Sequence, residues 1–295
     1  MIEDAPLFLA RLLHYLTLVP LAGMLLYGSH SASLVPPPRW TEVQARLRPV
    51  AILLAIGALI GATGWLLATM ATMAGSLSAA ADPAVRDFIL FGSDFGRLWL
   101  ARLVFGALLI AAAWRWPRLA AMLAALLLLS LAGTGHTQVN AMPLRLAHMV
   151  NDAIHLLAAA LWLGGLLPLV WLVQAERDPA VLAPLLHRFS AVGYIAVGLL
   201  VVTGVANLLL SAERPFELLE TLWGWLLAAK LAAFAGMLAL AASNRFQLLA
   251  RLEGLQSGPA ADRIRDRLRH HIWSEQLLGI AVLAIVALLG MTALP

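Results

Sequence analysis

No cysteine occurs among the 295 residues, which excludes disulfides, thiolate zinc sites and cysteine-ligated iron–sulfur clusters. Charge is also scarce. Asp, Glu, Lys and Arg make up 12% of the chain, where a soluble domain carries about 25%, so there are too few charges to cover a water-facing surface. Several motifs are missing as well. There is no Walker A sequence and hence no ATP-driven pump, and no GxSxG or HExxH, so the chain is not expected to be an enzyme. The isoelectric point near 10.3 does not point to nucleic acid, because the charges sit in short stretches between apolar segments. The leading MIEDAP is acidic and lacks the basic region of a cleavable signal peptide, so the first apolar segment is expected to stay as a transmembrane helix.

What remains is apolar. Hydrophobic residues make up 62% of the chain and the mean hydropathy is +0.87. Runs of about 20 apolar residues, the length that spans a bilayer, recur throughout. The expected fold is all-α: one polytopic domain over 1–295, with eight transmembrane helices near 6–28, 49–73, 97–114, 118–135, 147–173, 189–211, 222–243 and 275–293. No period-2 alternation suggests a β-barrel. Between spans three and four, WRWPR places Trp114 and Trp116 beside two arginines, an interfacial anchor. The stretch between spans two and three is too long for a tight turn and is expected to form an outward cap or short re-entrant helix.

Orientation follows from the arginines. Loops after spans one, three, five and seven carry Arg39, Arg46, Arg48, Arg115, Arg118, Arg177 and Arg188, then six more between Arg245 and Arg269. The alternate loops carry only Arg86, Arg97, Arg145 and Arg214. The basic loops are therefore expected in the cytoplasm, with both termini periplasmic. The longest, 244–274, is read as a solvated connector whose His270 and His271 are not metal ligands.

With that topology, His14, His136, His148 and His155 gather toward the outer side, together with Met70, Met73, Met142, Met149 and Met291. Imidazole and thioether without thiolate suit copper, and thioether favours Cu(I). The most informative stretch is HMVNDAIH, where His148, Asp152 and His155 fall at i, i+4 and i+7 on one helix face. An ionisable residue within a span costs several kcal/mol unless it is paired, and marks a functional site by default. Asp152 is expected to orient an imidazole, ligate a cation or pair with Arg11, Arg102 or Lys230. His14 lies at a depth similar to His155, so one site joining spans one and five, or two sites in series, are both open. The candidate metal residues are His14, His136, His148, Asp152, His155, Met70, Met73 and Met149. Small-residue spacing at Gly57, Gly61 and Gly64, and WLGG at 162–165, permits close helix contact.

An ordered set of segments resembles the copper resistance protein D (CopD) family of bacterial inner-membrane proteins. It comprises RLLHY in span one, MAGS at 73–76, FGRLWLARL at 95–103 and GHT at 135–137. It continues with HMVNDAIHLLAAALWLGGLLPL at 148–169, HRFSAVGYIAVGLLVVTGVAN at 187–207, LWGWLLAAKLAAFAGMLALAASNRF at 222–246 and the final SEQLLGIAVLAIVALLGMTALP. The resemblance implies eight helices in the inner membrane, copper moved inward, and a small periplasmic carrier of the CopC type. That carrier would be a separate protein, because no soluble copper-binding domain is fused here. Carried over by residue, the resemblance points to His14, His136, His148, Asp152 and His155, with Met73 next.

Three functions are thus open. The first is copper uptake from periplasm to cytoplasm through an outward His/Met/Asp site, with Cu(I) or Cu(II) as the ion. The second is a copper-binding or carrier-docking membrane protein without translocation. The third is a haem-b electron carrier with paired histidines such as His14 and His155. The inner half raises a difficulty for passage, since no continuous polar track is visible there.

Overall fold

The computed structural model describes residues 5–31, 37–134, 141–211 and 220–292. Among these no strand occurs, as expected of a chain whose backbone must satisfy its own hydrogen bonds in lipid. The helices are α1 (Ala5–Ser31), α2 (Pro37–Ala74), α3 (Leu77–Ala81), α4 (Pro83–Gly92), α5 (Asp94–Arg115) and α6 (Pro117–Ser130), which is followed by the 3₁₀ turn Leu131–Gly133. After these come α7 (Leu144–Ala175), α8 (Pro179–Ser211) and α9 (Leu222–Ser243). A π-helical turn, Asn244–Leu249, then leads into α10 (Ala250–Glu253) and α11 (Pro259–Leu289).

Seven helical segments among the described residues are long and apolar enough to span a bilayer. The expected fourth span is the shorter apolar helix Pro117–Gly133. The stretch after α2 forms α3 and α4, each N-capped by a side chain: Ser76 accepts from Ala79 N, and Asp82 from Ala84 N and Val85 N. Only Ile89 of α4 is buried, while Phe88 and Phe91 are exposed.

The region read as a connector, 244–274, is largely helical. Its basic run begins α11, because Ala261, Leu268, Ile272 and Glu275 recur at helical spacing and bury one face. Arg263 and Arg267 lie on the exposed face, while Arg265 reaches from beside the stripe to the Val173 carbonyl of α7, and together these arginines conceal the period from a hydropathy scan.

Helix α1 lies at the centre, packed against α2, α6, α7 and α11, and α7 also meets α8 and α11. Two glycines set how closely α1 is held. A Cβ on Gly61 of α2 would fall 2.6 Å from the His14 backbone nitrogen, and one on Gly164 of α7 would fall 2.4 Å from the Met24 backbone nitrogen. Only glycine allows the backbones this near. Helices α8 and α9 present Val201, Val202, Val205, Leu209, Trp225 and Leu231 outward, as lipid-facing surfaces do. Trp114 and Trp116 are exposed beside Arg48, Arg115 and Arg118, around a cavity of about 500 Å³.

Candidate metal site

Helix α1 brings His14 to a buried position against α2, where it is 3% exposed. Its Nδ1 lies 2.8 Å from the Ala58 carbonyl oxygen. A carbonyl only accepts, so Nδ1 carries the proton and Nε2 keeps its lone pair. Trp65 meets the imidazole edge-on at 6.0 Å between centroids, and the Arg11 guanidinium lies over the same indole at 4.6 Å.

On α7 the three expected residues share a face, as their spacing requires. His148 is buried, whereas Asp152 and His155 are half-buried. Helix α8 faces them with Thr203 and Asn207, themselves one turn apart. Thr203 donates its hydroxyl proton to the Leu199 carbonyl at 2.5 Å, so it meets His155 Nδ1, at 2.8 Å, as an acceptor. His155 therefore also carries its proton on Nδ1 and offers Nε2. Such a hydrogen bond from one ring nitrogen fixes the tautomer and orientation with which the other can meet a metal.

The ladder continues toward Asp152. Asn151 Nδ2 donates to Asn207 Oδ1 at 2.7 Å and to the Thr203 carbonyl at 2.9 Å. Asn207 Nδ2 then donates to Asp152 Oδ1 at 3.2 Å. Asp152 interacts electrostatically with His148 on its own helix and with Lys230 of α9, and Lys230 also acts on His155. Of the three cations expected as partners for Asp152, Lys230 is therefore the one in range. Arg11 instead donates to the Gly290 carbonyl at 2.5 Å, at the end of α11. Arg102, 2% exposed, donates to Ser130 Oγ at 2.9 Å and to the Ser130 carbonyl at 2.5 Å. Each arginine thus closes a helix C-terminus, where orphan carbonyls and the helix dipole favour a cation.

The remaining candidates are placed differently. Met70 is buried and Met73 is 56% exposed at the end of α2. Met149 packs over the turn Leu131–Gly133, its terminal methyl 3.4 Å from where a Cβ on Gly133 would lie. His136 lies outside the described residues. Among the described residues no cluster of three or more His, Asp or Glu side chains is close enough to enclose a metal ion. The imidazoles of His14 and His155 are separate, each bonded through Nδ1 and leaving Nε2 for a ligand, with His155 on the polar seam between α7 and α8.

Spacing on α7 alone points to the histidines and Asp152, whereas Thr203 and Asn207 stand on another helix and are not singled out. Their own i, i+4 spacing was the available signal. A second group was missed, although Glu275 is an ionisable residue inside a span by the same criterion that singled out Asp152. It is 1% exposed and accepts from Asn244 Nδ2 at 2.8 Å and Trp162 Nε1 at 3.4 Å.

Two family models match the chain: "Copper resistance protein D" over residues 183–289 and "Copper resistance protein D-like, N-terminal domain" over residues 1–145. Inner membrane protein YebZ of Escherichia coli K12 is 31% identical over 291 residues, 95% of each chain. Copper resistance protein D of Pseudomonas syringae pv. tomato is 29% identical over 305 aligned positions, 98% of this chain and 96% of that protein. Copper transport protein CutJ of Bacillus subtilis is 30% identical over 172 residues, 57% of this chain and 29% of its own length. No solved structure matches the chain.

Proposed function

The chain belongs to the copper resistance protein D family, and from that premise we propose that it carries copper inward across the bacterial inner membrane. It is a multi-pass protein of that membrane and takes part in copper handling. The proposed arrangement is a single transmembrane domain in which Pro117–Gly133 supplies an eighth crossing and both termini are periplasmic. Copper is the cargo. It is received by imidazoles and thioethers at the outer side, from a separate periplasmic carrier of the CopC type.

The observation that supports this reading best is the seam between α7 and α8. His155 is held by Thr203 with its Nε2 available, one helix turn from Asp152, whose carboxylate is held by Asn207. His14 offers Nε2 in the same way from α1, and His148 precedes Asp152 by one turn. His136, Met70, Met73 and Met149 are assigned to capture at the outer mouth. A copper cation moving into a negative interior gains about 2.3 kcal/mol per charge per 100 mV, so no nucleotide is required.

The test is copper uptake into proteoliposomes holding a negative internal potential. The native protein is expected to accumulate copper, and His155→Ala and Asp152→Asn to lose most of the flux while still inserting. Copper bound to the native protein without flux would replace transport with a binding or docking role. A Soret band in the purified protein would favour the haem carrier.

A further inference from the structure

Near the basic end of the bundle, Glu275 sits on a cavity of about 180 Å³ that the outer seam does not include. Besides Glu275, its walls include Trp162 of α7, Phe189 and Tyr194 of α8, and Asn244 and Arg245 of the π turn. Glu275 lies 14 residues before Leu289 on α11, about 21 Å along the helix at 1.5 Å per residue. That distance puts it within the hydrocarbon thickness of a bilayer.

Three observations bear on its role. Glu275 is 1% exposed, yet its hydrogen-bond partners among the described residues, Asn244 and Trp162, are both neutral. An ionised carboxylate so placed lacks compensation and must take up a cation to be stable. Second, the chain departs from α-helical geometry at this point. The π turn begins at Asn244, and such turns are frequent at functional sites. Its effect here is to hold Asn244 between two titratable groups, with Nδ2 donating to Glu275 and Oδ1 accepting from His271 Nδ1 at 2.8 Å. Third, the cavity gives the carboxyl a space large enough for water, with Asn244, Arg245 and Ser190 available to bind it.

The cation is identified by elimination. Among the described residues no cluster of three His, Asp or Glu ligands surrounds this point, so a metal ion would lack a coordination shell, whereas a proton needs only the one carboxyl. The titratable and charged groups facing Glu275 are Tyr194 from α8, Arg245 from the π turn and His271 one turn earlier on α11. Helix α7 contributes only the indole of Trp162. Arg245 is itself turned to His187, which in turn bonds Glu253. We propose that Glu275 is a proton-binding site that exchanges through this cavity with the basic end of the bundle, and that Asn244 positions its carboxyl. Any coupling of this proton to copper movement rests on the transport reading above; the proton site itself does not.

Infrared difference spectroscopy of the purified protein in lipid, recorded in the protonated-carboxyl stretching region while pH is varied between about 5 and 9, is the test. The expected result is a titrating carboxyl band that Glu275→Gln removes. Asn244→Ala keeps the carboxyl and is expected to shift the band's frequency and titration midpoint, so the site stays testable if the first variant folds poorly. A spectrum with no titrating band over that range, or one retained unchanged in E275Q, would overturn the inference. Proteoliposome copper flux, measured separately, reports only on transport: absent flux with a titrating band rejects the copper route and leaves the proton site standing.

Discussion

Thr203→Val removes one hydroxyl and leaves a side chain of nearly the same shape. In the native protein Thr203 is 4% exposed, and its hydroxyl accepts from His155 Nδ1 at 2.8 Å and donates to the Leu199 carbonyl. The carbonyl keeps its helical partner, so the loss falls on His155. Interhelical hydrogen bonds in membranes average about 0.6 kcal/mol and reach about 1.7, and a buried donor left unpaired costs about 1–3 kcal/mol. A loss of stability on the order of 1–2 kcal/mol follows, too little to unfold a bundle of this size. The effect on copper is larger in proportion. Releasing the imidazole from its fixed tautomer and orientation costs about tenfold to hundredfold in metal affinity, or about 1.4–2.8 kcal/mol. The assay is competition for Cu(I) against a chromogenic chelator under reducing conditions, with thermal unfolding measured in the same detergent. Thr203→Ser restores the acceptor and is expected to bind as the native protein does. Native affinity in T203V alongside weakened affinity in His155→Ala would refute the claim that Thr203 orients the ligand, and native affinity in both would remove His155 from the site.

Further outcomes are expected elsewhere. Gly164→Ala places a Cβ 2.4 Å from Met24 N and should destabilise the α1–α7 contact by about 1–3 kcal/mol. Gly193→Ala, with nothing within 4 Å of the new atom, should melt no lower than the native protein; equal melting of the two variants would remove glycine as the reason α1 sits so close. Met73→Leu keeps volume and apolarity, so folding should change by less than about 1.5 kcal/mol while Cu(I) affinity falls under reducing conditions; an unchanged affinity would assign capture to histidine and Asp152 alone. Reporter fusions at Gly258 should behave as cytoplasmic, and fusions at 79–81 or after the last residue as periplasmic; the opposite pattern would invert the proposed direction of copper movement. His270, exposed and bonded to the Asp266 carbonyl of its own helix, should be replaceable by alanine without effect on copper binding.

Composition alone determined that the chain resides in a membrane, because 12% charge cannot cover a soluble surface. Periodicity determined that His148, Asp152 and His155 share a face, because a helix repeats every 3.6 residues whatever it packs against. The same local logic failed where the pattern was mixed. The arginines of 263–269 hid the buried stripe of α11, and the apolar run of the fourth span forms a helix only as long as Pro117–Gly133. Tertiary structure alone decided the partners. Thr203 lies 48 residues from His155, Asn244 lies 31 from Glu275, and Trp162 lies 113 from the same carboxyl. A single polar residue on an apolar helix carries no period, and nothing in its own segment tells which neighbouring helix will satisfy it. That choice is made when glycines let α1, α2 and α7 approach and each buried polar group takes whatever donor or acceptor the packing brings within reach.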